Sequence, residues 1–191
     1  MPTHASLTGC LLFNLGTPAS PETRDVRAYL REFLSDPRVL DMPAVGRWLL
    51  LNLIILPFRP AKSAHAYRSI WTDEGSPLMT HCRNLHAAVQ ERLGPEVPVE
   101  LGMRYGEPSI KSALARLREK GVTRIVVLPL YPQSTSSTVG TGLEAIYDEL
   151  GAWWDVPTVS VVEPFYTHPR YLDAQEALAT PELEAFQPDH V

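Results

Sequence analysis

Four short stretches set polar or aromatic side chains directly after apolar runs: residues 14–17, 104–107, 131–142 and 163–168. Ligands of open α/β sheets gather at the ends of strands, so these positions are the first candidates for chemistry. The richest is Tyr131-Pro-Gln-Ser-Thr-Ser-Ser-Thr-Val-Gly-Thr-Gly142, which offers hydroxyls, Ser136 and Thr138 among them, and backbone amides ahead of a helix. Such a loop can hold a phosphate or carboxylate, or it can simply cap the helix. It lacks the Gly-Lys-Ser/Thr of a nucleotide P-loop, and Gly140-x-Gly142 without a third glycine is a weak dinucleotide signal. Arg104-Tyr105 reads either as an anion clamp with an aromatic wall or as an ion pair beside a half-buried ring. A strand end is not where a core needs a guanidinium, so loss of Arg104 is expected to cost ligand binding more than folding. Arg59, Lys62 and Arg68 form a basic cluster that suits a small anionic ligand or a solvated face.

Other chemistries find less support. Cys82 and His86 lie one helical turn apart with His81 adjacent, but Cys82 falls on an apolar stripe, so a core cysteine with two surface histidines is the better account. No metal site is assigned. No Gly-x-Ser-x-Gly elbow is present, and Cys10 lies inside an apolar run.

The elements that must position these residues alternate. Apolar runs at 9–15, 97–103, 124–131 and 156–162 read as strands, the third continuous enough to be covered on both faces. Between them fall helical patterns. Ser20 and Pro21 look like an N-cap and first helical residue, with Val26, Tyr29, Leu30, Phe33 and Leu34 on one face and a stop before Asp36-Pro37. A short helix is expected at 64–70, and a longer one carrying Leu78, Cys82, Leu85, Val89 and Leu93 as its stripe. Further helices are expected at 108–120, 143–150 and 169–179. The expected fold is therefore α/β, a four-stranded parallel sheet with helices on both faces.

Composition sets the class. The 191 residues are 45% hydrophobic and 20% charged, and 17 Lys+Arg against 22 Asp+Glu give a net charge of −5. That is a globular balance with no global field for nucleic acid. Two cysteines are too few for a disulfide framework or an iron–sulfur cluster, which points to a reducing cytoplasm, and the N-terminus has no export pattern. The run Trp48-Leu-Leu-Leu-Asn-Leu-Ile-Ile-Leu56 is nearly all apolar but falls short of the about 20 residues a crossing helix needs. It reads as a buried helix or as an exposed lip at a cleft or membrane surface.

Six ordered motifs carry a resemblance. Leu12-Phe-Asn-Leu-Gly-Thr-Pro18, Tyr29-Leu-Arg-Glu-Phe-Leu-Ser-Asp-Pro-Arg38, Tyr67-Arg-Ser-Ile-Trp71, Glu74-Gly-Ser-Pro-Leu78, Met103-Arg-Tyr-Gly-Glu-Pro108 and Leu128-Pro-Leu-Tyr-Pro-Gln133 resemble the N-terminal half of ferrochelatases, from about residue 7 to the end. The resemblance implies a chelatase-like three-layer sandwich, residues 1–191 forming a single α/β domain, the first of two similar halves with the second absent. It implies insertion of ferrous iron into a porphyrin in haem synthesis, with iron and porphyrin as substrates and no cofactor or iron–sulfur cluster. Leu15, Tyr67, Ser76, Arg104 and Tyr131 correspond to residues lining the porphyrin cleft, Tyr67 and Ser76 near the propionates. Arg59, Tyr105, Ser136 and Thr138 complete the candidate substrate-binding set. The 48–58 segment corresponds to a lip at the cleft mouth and to a peripheral membrane contact.

Two departures from the family pattern stand out. Gln133 is followed by Ser134 and Thr135 where the family carries an aromatic residue and then Ser. The His-Gly/Ser-Leu-Pro motif, whose histidine accepts protons or binds metal, is expected just beyond residue 191, and its glutamate partner in the second half. His190 is not that histidine, and Val191 reads as the start of another buried strand. No catalytic residue is therefore assigned, and the chain by itself is expected to be inactive. A non-catalytic tetrapyrrole-binding or interaction module is the alternative. So is a cobalt or sirohydrochlorin chelatase, which needs a histidine pair where only His168 stands at a strand end.

Overall fold

A computed structural model describes residues 6–187. His4, His190 and the remainder of 188–191, including the strand start read at Val191, lie outside the described residues. The four apolar runs form one parallel sheet: β1 (Thr8–Gly16), β2 (Val99–Tyr105), β3 (Arg124–Pro129) and β4 (Thr158–Val161), in the order β2-β1-β3-β4. β1 is central, with Cys10 opposite both Val99 and Val126, and is apolar on both faces because both are covered. Leu11 and Phe13 point to a core shared with α5 (Ile110–Glu119) and α6 (Thr141–Gly151). Cys10 and Leu12 point to the opposite core, under α4 (Pro77–Leu93). A third cluster joins α1 (Thr23–Ser35) to the following helix and to Tyr105.

Two glycines permit this closeness. A Cβ on Gly102 would stand 2.9 Å from the Ile110 Cα, so α5 lies directly on β2. A Cβ on Gly142 would run into the Phe13 ring, so α6 seats on β1 only because that position has no side chain.

Several boundaries move for identifiable reasons. β2 begins at Val99, since the Gln90 side chain takes the preceding backbone, donating to the Val97 carbonyl (3.1 Å) and accepting the Val99 N–H (2.8 Å). β3 ends at Pro129, and Tyr131 turns out of the sheet. α1 begins at Thr23, because Ser20 bonds the Asp25 carboxylate (2.6 Å) and the Glu22 N–H (3.2 Å) from outside the helix. The buried side of α4 is Met79 and Cys82, while Leu85 and Leu93 are exposed. The inward residues one and two turns on are the polar His86 and Gln90, which satisfy the outer backbone of β2.

The largest correction concerns the apolar run. It does not end before a separate short helix. Residues Ala44–Ile70 form one continuous helical stretch of 27 residues, comprising α2 (Ala44–Leu49), a π-helical turn (Leu50–Ile55) and α3 (Leu56–Ile70). Pro57 lies inside this stretch, directly after the π-helical turn, where the regular i→i−4 ladder is already replaced. By length and composition this is the one helix among the described residues long and apolar enough to cross a membrane, which the nine-residue reading missed. Leu51, Leu56 and Ala64 are nevertheless packed on Val26, Leu30 and Leu34 of α1, so one side belongs to the core. α7 (Pro169–Phe186) runs longer than expected and buries no residue.

Candidate functional site

β1 ends in Asn14-Leu15-Gly16-Thr17, and each residue is fixed by a different device. The Asn14 amide donates to the Cys82 thiol (3.4 Å), and its carbonyl accepts the Leu15 N–H (2.7 Å). Gly16 has φ +105° and lies against the Tyr105 carbonyl, where a Cβ has no room. The Thr17 hydroxyl donates to Ser76 Oγ (2.9 Å), both groups being buried. Ser76 stands at the start of α4, so the hydroxyl pair lies at a helix N-terminus where anions are favoured. These two residues, Tyr29 and Met79 border a cavity of about 500 Å³ whose rim includes Asp25, Glu32 and Arg83.

Leu15 and Tyr67 are half-buried on the cluster that contains Tyr105 and Leu56, and Tyr67 meets Trp71 edge to face at 6.3 Å. Tyr131 meets Phe13 edge to face at 6.0 Å. Its hydroxyl is buried and has no hydrogen-bond partner within the described residues. Burial pushes the Tyr131 phenol up, and the neighbouring Tyr29 and Tyr105 add to this. It is therefore a donor in search of an acceptor and not a proton acceptor itself.

Of the two readings of Arg104-Tyr105, the geometry matches the ion pair. Arg104 Nη2 pairs with the Asp36 carboxylate at 2.7 Å, with side-chain exposures of 21% and 2%. Its Nε donates to the Thr141 hydroxyl (2.7 Å) and carbonyl (3.0 Å). The Tyr105 hydroxyl donates to the same Asp36 oxygen (2.8 Å), the Thr141 hydroxyl donates to it as well, and the Arg38 N–H donates to Asp36 Oδ1 (2.7 Å). The guanidinium also lies 4.6 Å from the Tyr105 ring centroid. Burial would raise the Asp36 pKa, but the Thr141, Tyr105 and Arg38 hydrogen bonds and the Arg104 charge outweigh it and hold the carboxyl below its usual range. The Arg104 charge is thus matched inside the fold, where it ties α1, β2 and α6 together. Tyr105, 1% exposed, presents no surface to a ligand.

The other candidates scatter. Ser136 is exposed at the start of the turn before α6 and accepts from Arg38 Nη1 (3.3 Å). Thr138 closes a capping box with Thr135, so this end of the hydroxyl loop caps a helical turn. Arg59 is exposed on α3. Ser76 is brought to the Thr17 hydroxyl, Leu15 to the cluster that it shares with Tyr67 of the lip helix, and Tyr131 to Phe13. Sequence reasoning missed Asp36, read only as a helix stop, and Thr141, read only as loop.

His81 and His65 are exposed, His86 is bonded to the Val99 carbonyl (3.0 Å), and His168 stands exposed at the head of α7. Among the described residues no group of three His, Cys, Asp or Glu side chains is placed to hold a metal.

Comparison with known proteins gives one answer. The family model described as Ferrochelatase matches residues 7–191. A ferrochelatase of Coxiella burnetii (strain Dugway 5J108-111) is 46% identical over 182 residues, 95% of this chain and 50% of that protein. One from Methylococcus capsulatus is 47% identical over 176 residues, 91% of this chain and 53% of its own length. One from Legionella pneumophila (strain Philadelphia 1) is 44% identical over 176 residues, 92% and 53% respectively. The chain spans about half the length of the curated relatives it matches. With the parallel α/β sheet and matches at this level over nearly its whole length, the chain belongs to the ferrochelatase family.

Proposed function

We propose that this chain supplies one wall of the porphyrin cleft of a ferrochelatase, the enzyme that inserts ferrous iron into a porphyrin in haem synthesis, and that a second α/β half completes the cleft. The observation that carries the reading is the half-buried apolar floor of Leu15 and Tyr67 beside the exposed face of the lip helix. A flat aromatic ring fits such a floor, and the binding drive is apolar burial. The Thr17–Ser76 hydroxyl pair at the head of α4 and Arg59, which pairs with no carboxylate among the described residues, are the groups proposed to meet the ring's carboxylates. Arg104 serves this wall indirectly, by holding Asp36, Tyr105 and Thr141 beneath it. The buried Tyr131 hydroxyl donates a hydrogen bond to whatever closes over it. The lip is proposed to rest peripherally on a membrane surface.

Metallation requires removal of two pyrrole protons, and a positioned base contributes about 10²–10⁴-fold to such a step. The tyrosines of the wall hold their protons, and the described histidines stand elsewhere, so the base is assigned to the complementary half. The test is anaerobic incubation of the 191-residue chain with ferrous or zinc ion and a porphyrin. Quenching of porphyrin fluorescence without the Soret shift of the metallated product is the expected result. Turnover above the protein-free control would overturn the assignment of the base, and an absence of quenching at any porphyrin concentration would overturn the cleft-wall reading.

A further inference from the structure

The helix Ala44–Ile70 contains no Asp or Glu in a chain that carries 22 of them, but it does contain Arg47, Arg59, Lys62 and Arg68. Its outer face exposes Trp48, Leu53, Ile54 and Phe58. α1 packs along it in the opposite sense: Arg31 lines one concavity with Trp48, Leu51 and Asn52, and Arg68 at the far end of α3 donates to the Pro21 carbonyl (3.4 Å) just before α1 begins.

The exposed surface of α1 is divided by sign. Its buried side is Val26, Tyr29, Leu30 and Leu34. At 100° per residue, Arg24, Arg27 and Arg31 fall together on the flank toward the lip helix. Asp25 and Glu32 fall on the other flank and border the cavity beside Ser76. Arg24, Arg27 and Arg31 are exposed, and none of these seven cations pairs with a carboxylate among the described residues. Arg47 spends its donors on the Leu40 and Met42 carbonyls, which leaves its charge unmatched. A basic stripe of this kind, in a chain of net charge −5, is a local field of one sign that attracts anions.

We infer that Arg24, Arg27 and Arg31 of α1 form, with Arg47, Lys62 and Arg68 of the lip helix, a headgroup-contacting stripe that directs the exposed apolar lip to an anionic lipid surface. The inference rests on the proposed peripheral membrane contact and goes beyond it by naming the lipid class and residues outside the lip. An apolar face gives insertion without selecting headgroups, whereas a row of arginines within a Debye length of a charged surface does select them. The occupant is a bilayer and not a soluble acidic protein, because the charges flank exposed Trp and Phe side chains of the kind that lodge at the headgroup boundary.

The test is co-sedimentation of the 191-residue chain with phosphatidylcholine vesicles, with and without phosphatidylglycerol, at low and high salt. The wild-type chain is expected to partition onto the anionic vesicles about tenfold or more better than onto neutral ones, with the preference lost at high salt. A variant with Arg24→Gln, Arg27→Gln and Arg31→Gln, all exposed positions, is expected to lose most of that preference and keep its binding to neutral vesicles. A variant with Leu53→Ser, Ile54→Ser and Phe58→Ser is expected to lose both. Equal wild-type binding to the two vesicle types, or a glutamine variant that keeps the preference, would overturn the inference and leave the lip contact standing. Wild-type binding to neither would overturn both. Porphyrin quenching measured without vesicles reports the cleft-wall reading separately.

Discussion

Arg104→Ala separates a structural arginine from an anion receptor. The substitution removes the 2.7 Å ion pair and leaves Asp36, 2% exposed, as a buried carboxylate without a cation. Removing one partner of a buried pair typically costs about 3–5 kcal/mol. Three donors remain on Asp36, from Arg38, Tyr105 and Thr141, so the cost is placed at the low end, about 3 kcal/mol at neutral pH. For a domain of this size that is roughly a 6–12 °C fall in Tm. The acid dependence gives a second signature. The folded Asp36 pKa lies below its ordinary value of 3.8, so its stabilisation is present above that pH and is lost as pH falls through the folded pKa. Without the Arg104 charge the folded pKa rises toward or past the unfolded value, so the acid-dependent loss of stability shrinks and the gap between the two chains narrows as pH falls. Urea unfolding of both chains between neutral and acidic pH measures both effects, and a cycle with Asp36→Asn isolates the pair. An Arg104→Ala chain that unfolds within about 0.5 kcal/mol of the unchanged protein, with the same acid profile, would refute the structural role and return Arg104 to ligand binding.

Gly142→Ala should destabilise by about 1–3 kcal/mol despite the better helix propensity of alanine, since the new Cβ meets the fully buried Phe13 ring; a raised Tm in a thermal melt would contradict this packing. Glu100 bridges Arg116 and Lys120 at 2.6 Å each, and although burial raises its pKa, the bonds from Lys120 and Arg116 and their charges hold it low. Glu100→Gln should therefore cost about 1 kcal/mol at neutral pH, a loss that fades as pH falls through the folded pKa, as a pH series of denaturation midpoints would show. Burial pushes the Cys10 thiol up to about 11 and raises that of Cys82. Neither should react with iodoacetamide at mildly alkaline pH until the fold is opened by denaturant, as intact mass would report.

The sheet was legible because its strands are covered on both faces and so read as unbroken apolar runs, with helical periodicity between them. What could not be read locally was long-range chemistry. Asp36 meets Arg104 and Thr141 across 68 and 105 residues, and no local pattern distinguishes a helix-stopping Asp-Pro from a carboxylate that collects four donors. The stripe on α4 was misread because residues at the helical period included Leu85 and Leu93, whereas the sheet edge demanded the hydrogen-bonding side chains of His86 and Gln90. No local pattern joined the apolar run to the expected 64–70 helix, yet Pro57 follows a π-helical turn and Pro60 is buried within a helix held by α1. Of the site, Leu15, Tyr67 and Ser76 were reached through the resemblance, and Tyr131 first through its place after an apolar run. Arg104 and Tyr105 were reached from their place directly after a strand, but their partners decide what they do.

The central place of β1 also governs the order in which the molecule can assemble. Its two neighbours are the strands at Val99 and Val126, while β1 itself is made near the beginning of the chain. During synthesis at about 5–20 residues per second, the most apolar strand of the sheet waits several seconds for its first partner and longer for its second. The hydrogen-bonding edges and both apolar faces of that segment are exposed throughout the wait. Pairings of such high sequence separation also form slowly in refolding. The strand that anchors the finished sheet is thus the one most in need of shelter during biosynthesis, and mutations that weaken α1 or α4, two of the helices made between β1 and β2, act on yield before they act on the folded state.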